Sequence, residues 1–183
     1  MIKITLPDGS VKEFASGVTP MEVAKSISEG FARNVISASF NGTTVETTTP
    51  LTTDGSLILY TWNDEDGKKA FWHSTSHVMA QVLEQMYPGI KLTLGPAIAN
   101  GFYYDVDFEE HKITEADFKK IEDRVLEISR GKHEFKLRPV SKADALELYK
   151  DNVYKTEMIT NLEDGTITFC DHDTFTDLCR GGH

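Results

Sequence analysis

Alternation punctuated by tight turns governs the first third of this chain. Ile2, Ile4 and Leu6 alternate with polar residues, as a half-buried strand requires. Pro7-Asp8-Gly9-Ser10 turns the chain back, and Val11 to Phe14 supply the returning strand of a hairpin. Thr19-Pro20-Met21-Glu22 then marks a helix start. Thr19 can cap, proline fits the first helical position, and Glu22 closes a capping box. Met21, Ala24, Ile27 and Phe31 follow at helical spacing. Val35 to Phe40 returns to strand, Asn41-Gly42 is a hairpin turn, Val45 follows, and Leu57 to Thr61 forms a last strand. Hairpin, helix and further strands are the order of a β-grasp, ubiquitin-like domain over residues 1–62. This stretch has no histidine, no cysteine and no clustered carboxylates, so it reads as a docking or structural module.

The polar run Asn63-Asp64-Glu65-Asp66-Gly67-Lys68-Lys69 breaks the periodicity and reads as a linker over 63–69. A second domain occupies 70–183. Its first helix runs from about Lys68 to Tyr87 and stops at Pro88-Gly89. Phe71, Thr75, Val78, Val82 and Met86 form one apolar stripe, with His73, His77, Ala80 and Glu84 roughly opposite. Lys91 to Leu94 and Phe102 to Asp107 read as strands, Tyr104 and Asp105 projecting to opposite faces of the second. Thr114 with Asp117 opens a helix ending near Gly131. Then come a strand (133–140), a short helix (141–149), a strand (153–159), a hairpin around Asp164-Gly165 and a strand from Phe175 to Cys179. The expected class is α+β, with antiparallel strands and packed helices.

Chemistry concentrates in two pairs of equal spacing. His73 and His77 lie four apart on a helix, on one face. Cys179 and His183 repeat the spacing about a hundred residues later. Three imidazoles and a thiol suit a tetrahedral zinc site, or a hydrolytic cluster without metal; chance placement is the third reading. Spacing alone favours zinc.

The net charge of −10 argues against a generic nucleic-acid binder. Between Lys119 and Lys142, however, eight basic residues face four acidic ones. A stripe that includes Lys119, Lys120, Arg124, Arg130 and Lys132 can follow a phosphate backbone, although a solvated helix face of mixed charge explains it equally. Two cysteines and no signal-like or membrane-spanning segment suggest a reducing, cytoplasmic setting and no membrane partner.

Several motifs together resemble the N-terminal part of bacterial-type threonyl-tRNA synthetases, from end to end. They are Ile4-Thr-Leu-Pro-Asp-Gly-Ser10, His73-Ser-Thr-Ser-His77, Leu94-Gly-Pro96, Asn100-Gly-Phe-Tyr-Tyr-Asp-Val-Asp107 and Asp177-Leu-Cys-Arg-Gly-Gly-His183. The first unit looks like a TGS domain and the second like the editing domain. Gly182 departs from the family, which often has proline there, and the change is expected to matter little. The resemblance implies a piece of a longer enzyme whose aminoacylation domain, with its ATP, Mg and catalytic Zn, is absent here. No cofactor is then expected in these residues.

The implied reaction is hydrolysis of serine mischarged onto threonine tRNA. One methyl group separates serine from threonine and gives only about 1–3 kcal/mol of discrimination, so a second sieve is needed. By resemblance, His73 orients or activates water, and Lys155 stabilises the oxyanion or anchors the terminal nucleotide. Cys179, His77 and His183 complete the pocket, while Tyr104, Asp177 and Gly95 meet the substrate. The family match lowers the zinc reading through His73, His77, Cys179 and His183, which the alanyl-type editing domains favour. A non-enzymatic tRNA-binding or regulatory module is the remaining alternative. The partner is threonine tRNA, above all its aminoacylated 3′ end. The chain alone is expected to be a monomer, and the full-length enzyme a homodimer.

Overall fold

A computed structural model describes residues 1–183. The chain divides into two compact units, one of Met1–Phe71 with Gly181–His183, the other of Trp72–Arg180.

The first unit carries strands β1 (Ile2–Thr5), β2 (Val11–Phe14), β3 (Val35–Phe40), β4 (Thr43–Val45) and β5 (Gly55–Thr61), with helices α1 (Pro20–Ile27) and α2 (Glu29–Ala32). They form one sheet in the order β2-β1-β5-β3-β4, in which β1 and β5 run parallel and the other neighbours antiparallel. This is the expected β-grasp. The alternation of β1 places Ile2 and Ile4 in the core with Leu6, Val23, Ala38, Leu51 and Leu57. The capping box of α1 forms: Thr19 accepts from the Glu22 amide, and Glu22 accepts from the Thr19 amide at 2.8 Å. The buried face of α1 is Pro20, Val23 and Ala24, whereas Ile27 is exposed. The helix ends at Ile27 and restarts at Glu29, so the spacing from Met21 to Phe31 does not describe one continuous face.

Helix α3 spans Glu65–Met86, so the residues expected to be a linker are helical from Glu65 onward. Polarity and glycine suggested a break. Instead, the Asp64 carboxylate accepts from the Thr61 amide at 2.7 Å, and the Lys68 amide donates to the Asp64 carbonyl at 3.0 Å. Gly67 permits the close approach of Thr61, whose carbonyl oxygen lies 1.9 Å from where a Cβ would stand.

The second unit holds the ribbons β6 (Lys91–Leu92) with β9 (Val106–Asp107) and β7 (Ala97–Ile98) with β8 (Gly101–Phe102). It also holds α4 (Glu115–Arg130), β10 (Phe135–Pro139), α5 (Lys142–Leu148), α6 (Val153–Thr160), β11 (Thr168–His172) and β12 (Phe175–Leu178). Strands β10, β11 and β12 form an antiparallel sheet, which completes the expected α+β class.

Three expectations are corrected. Residues 153–159 are helical, not extended. Asn152 caps this helix by accepting from the Lys155 amide at 3.1 Å, and that local bond outweighs the strand preference of Val153, Tyr154 and Ile159. Phe102 to Asp107 is no single strand, for Tyr103 to Asp105 separate β8 from β9. The hairpin lies at Asp173-Thr174 between β11 and β12, with Asp173 at φ 52, not at Asp164-Gly165.

Helix α3 is covered on two sides. Val78 and Val82 pack with Ile128 and Val125 of α4, while Ala80 packs with Leu92 and Phe175. Phe71, expected in the apolar stripe, is exposed.

Candidate functional site

The histidine face of α3 is therefore not open. Within the second unit Ser76 (0 %), His77 (4 %) and Gln81 (1 %) are buried, whereas His73 is half-buried. Four-residue spacing brings the two imidazoles together, with Nε2 to Nε2 at 3.1 Å, ring centroids 4.8 Å apart and ring planes tilted by 52°. Cys179, which follows β12, brings its Sγ to 3.4 Å from His73 Nε2. The ligand-type atoms of His73, His77 and Cys179 all lie within 4.8 Å of one another. Two imidazoles and a thiol in that space form a donor set that suits zinc.

Asp177 is the hub beneath them. Its position on β12, opposite Cys170 of β11, turns the carboxylate inward, and it is buried. Four donors converge on it. The Lys155 ammonium meets Oδ1, and the Leu178 amide reaches the same oxygen at 2.8 Å. The Tyr104 hydroxyl donates to Oδ2 at 2.6 Å, and His77 Nδ1 approaches Oδ2 at 3.1 Å. Burial pushes this carboxyl upward, but Lys155 and His77 outweigh it and hold it well below the usual carboxylate range. Burial and the Asp177 charge push the Tyr104 hydroxyl far above an ordinary phenol, so it remains a donor.

The network assigns tautomers. With Asp177 ionised, the favoured His77 tautomer carries its proton on Nδ1, 3.1 Å from that carboxylate, and presents the Nε2 lone pair toward His73. His73 then donates Nε2–H, and its own lone pair is on Nδ1. A carboxylate, a buried imidazole and a half-buried imidazole thus lie in series, and His73 is the less buried of the two histidines.

Gly95 is a packing necessity. A Cβ there would stand 2.1 Å from Tyr104 Cδ2, and its carbonyl accepts from the Ser76 hydroxyl at 3.0 Å. Lys155 is 1 % exposed, on a helix, with its ammonium 5.3 Å from the Tyr149 ring centroid. The structure thus sets it against Asp177, where an exposed strand lysine was the plain alternative. His183 is buried and belongs with the first unit, where its amide meets the Glu46 carboxylate at 3.2 Å.

Gly182 has a backbone angle and a hydrogen bond that proline would not share. Its φ is +92 and its amide donates to Glu46 at 2.9 Å; proline could do neither. Sequence reasoning also passed over Ser76, Gln81 and Asn152. Ser76 sits inside the His-Ser-Thr-Ser-His motif and was legible there. Asn152, whose side chain also donates to the Leu92 carbonyl at 2.8 Å, was hidden by the strand reading.

The basic stripe begins on α4 and is exposed except at Arg124, which is half-buried and donates to Gln85 at 3.1 Å. Lys119 pairs with Asp123, Lys120 with Asp117 at 3.7 Å, and Arg124 with Glu127 at 2.6 Å, all along the same helix. Arg130 ends α4, and Lys132 lies just beyond it with φ 53.

The TGS domain family matches residues 2–61, the span of the five-stranded sheet. All 183 residues align at 86% identity with the threonine–tRNA ligase of Flavobacterium johnsoniae. The corresponding ligase of Parabacteroides distasonis is 51% identical over 185 aligned positions, and that of Desulfatibacillum aliphaticivorans 48% over 183. The whole chain matches the N-terminal region of threonine–tRNA ligases. It spans 28% of the length of these three relatives. No helix is long and apolar enough to cross a membrane.

Proposed function

We propose that this chain hydrolyses the ester of serine mischarged onto threonine tRNA, for a parent enzyme that joins threonine to that tRNA with ATP. The observation that carries the reading is the series Asp177–His77–His73, linked at 3.1 Å and 3.1 Å. Asp177 fixes the His77 tautomer, His77 accepts from His73 Nε2–H, and His73 Nδ1 takes a proton from water attacking the ester carbonyl. Lys155 keeps Asp177 ionised, and Tyr104 over Gly95 shapes the wall that meets the aminoacyl group. Cys179 lies beside His73 as a polar wall. The thiol is not needed as nucleophile: water activated by His73 adds to the ester carbonyl, the bond to the ribose oxygen then breaks, and the proton held by His73 passes to that departing oxygen.

The test is deacylation of seryl- and threonyl-tRNA for threonine by this chain, with and without chelator. Serine-selective hydrolysis that survives chelation and is abolished by His73→Ala, with tRNA binding intact, is the expected result. Binding without hydrolysis would leave a tRNA-binding or regulatory module instead.

A second reading is favoured by the 4.8 Å grouping of His73, His77 and Cys179. Zinc held there would supply an activated water, and the Asp177 contact to His77 is the outer support such a ligand uses. Loss of hydrolysis with chelator, restored by zinc, would select it. Under either reading tRNA is the partner, met in part by Lys119, Lys120, Arg124, Arg130 and Lys132. The cytoplasm is the proposed location, where charged tRNA is found.

A further inference from the structure

We propose that Gln81, on α3 one turn beyond His77, is the positioning residue for the Asp177–His77 contact. This rests on the reading of that contact as part of the hydrolytic series.

Every residue concerned lies within the second unit. Strand β12 meets α3 as a ladder: Phe175 packs on Ala80, Asp177 lies 3.1 Å from His77 Nδ1, and Cys179 Sγ lies 3.4 Å from His73 Nε2. Two strand residues advance about 6.6 Å and four helical residues about 6 Å, so the rungs keep step over this short run. The rung between Phe175 and Ala80 is apolar and non-directional, so it does not fix how far the strand slides along the helix. Gln81 supplies directional bonds. It is 1 % exposed, and both ends of its carboxamide are used. Nε2 donates to Asp173 Oδ2 at 3.0 Å, and Oε1 accepts from His172 Nδ1 at 2.8 Å. A carboxylate only accepts, so the nitrogen must face Asp173 and the oxygen His172. Those partners are consecutive residues, the last of β11 and the first of the turn into β12, 91 and 92 positions from Gln81. His172 is held from the other side by Phe135 of β10, with ring centroids 4.3 Å apart and planes 21° apart. Gln85, one turn further along α3, donates to the Thr174 hydroxyl at 3.4 Å. A buried carboxamide without partners is costly, and one satisfied at both ends selects a single docking of hairpin on helix. That docking sets where Asp177 stands against His77.

Two measurements on the whole chain, treated with chelator, test this. Gln81→Met keeps the bulk of the side chain and removes both hydrogen bonds. Asp173→Asn and Asp173→Gly both suit the φ of 52 at that exposed position, and both lose the charge 3.7 Å from His133. Only asparagine keeps an acceptor for Gln81. Ring-nitrogen NMR at pH 7 reads His77 directly. The ratio of Nδ1–H to Nε2–H tautomer falls about twofold or more in Gln81→Met and Asp173→Gly, and Asp173→Asn keeps the wild-type ratio. An unchanged His77 spectrum in Gln81→Met and Asp173→Gly overturns the proposal. In seryl-tRNA deacylation, with each protein shown folded by circular dichroism, Gln81→Met and Asp173→Gly lower kcat about tenfold with KM held within about twofold. Asp173→Asn keeps kcat. A clasp that only stabilised the fold would lower the melting temperature and leave the kcat of folded protein unchanged, and that result overturns the positioning role. If Gln81→Met does not fold, the Asp173 pair decides by the same readouts. A wild-type chain with no deacylation counts against the hydrolase reading alone, because the His77 spectra still decide whether Gln81 sets the contact.

Discussion

Lys155 and Asp177 form an ion pair from which solvent is almost absent, the two residues being 1 % and 2 % exposed. It joins the first turn of α6 to the middle of β12, across 22 positions of sequence. A buried pair of this kind is weak evidence for net stability, but removing one partner strands the other. The carboxylate retains Tyr104, His77 and the Leu178 amide, so it stays organised even when the cation is lost.

Lys155→Met should therefore destabilise the chain by about 3–5 kcal/mol, measured by urea denaturation near neutral pH. The double variant Lys155→Met with Asp177→Asn should recover part of that loss. If the single variant unfolds at the wild-type urea midpoint, the pair does not hold the unit together.

Stability should fall with acid in two stages. The folded pKa of His172 is lowered, by burial first and then by His133, against Asp173, which favours the charged form. The unfolded chain therefore binds this proton near pH 6.5, before the folded chain does, and stability declines as pH drops below that value. Asp177 is depressed in the folded chain, so its contribution is intact above the unfolded value of about 4 and is lost as pH falls toward its folded pKa. Urea melts at pH 7, 5 and 3 check both stages. His172→Gln should flatten the step from 7 to 5, and Asp177→Asn the step from 5 to 3.

Gly95→Ala should push the Tyr104 ring off its seat and weaken its bond to Asp177. A cost of about 1–3 kcal/mol is expected from the forced displacement. In this background Tyr104→Phe should cost little more, since the hydroxyl bond is already impaired. Thermal melts of the four proteins close the cycle, and simple additivity would show that ring and glycine act independently.

Lys119 and Lys120 sit in exposed helix-surface pairs with Asp123 and Asp117, so they contribute little to folding. Lys119→Ala with Lys120→Ala should leave the melting curve in place. If both meet tRNA phosphates, the slope of log affinity against log salt should fall by about 2. An unchanged slope would return the stripe to a solvated face.

Much of this molecule was legible from local chemistry. The elements of the first unit and their order along the chain follow from alternation in Ile2 to Leu6, the Asn41-Gly42 turn and the Thr19–Glu22 box, because each is set by neighbours within a few residues. The approach of His73 to His77 is likewise a property of helix spacing. Where two local preferences competed, the reading failed. Val153, Tyr154 and Ile159 favour a strand, and only the Asn152 cap, itself tied to Leu92, decides for a helix.

The rest depended on contacts between residues far apart in sequence. No pattern shows that Asp177 will collect Lys155, Tyr104 and His77, because those donors come from three other elements and their charges count only once water is excluded. Nor does any pattern pair Glu46 with Gly182. The sequence determined which side chains could do chemistry and which local elements would carry them. Tertiary structure decided which are buried, which carboxylate stays charged and which imidazole faces water, since these are set by desolvation and by partners that only the folded chain brings within hydrogen-bonding reach.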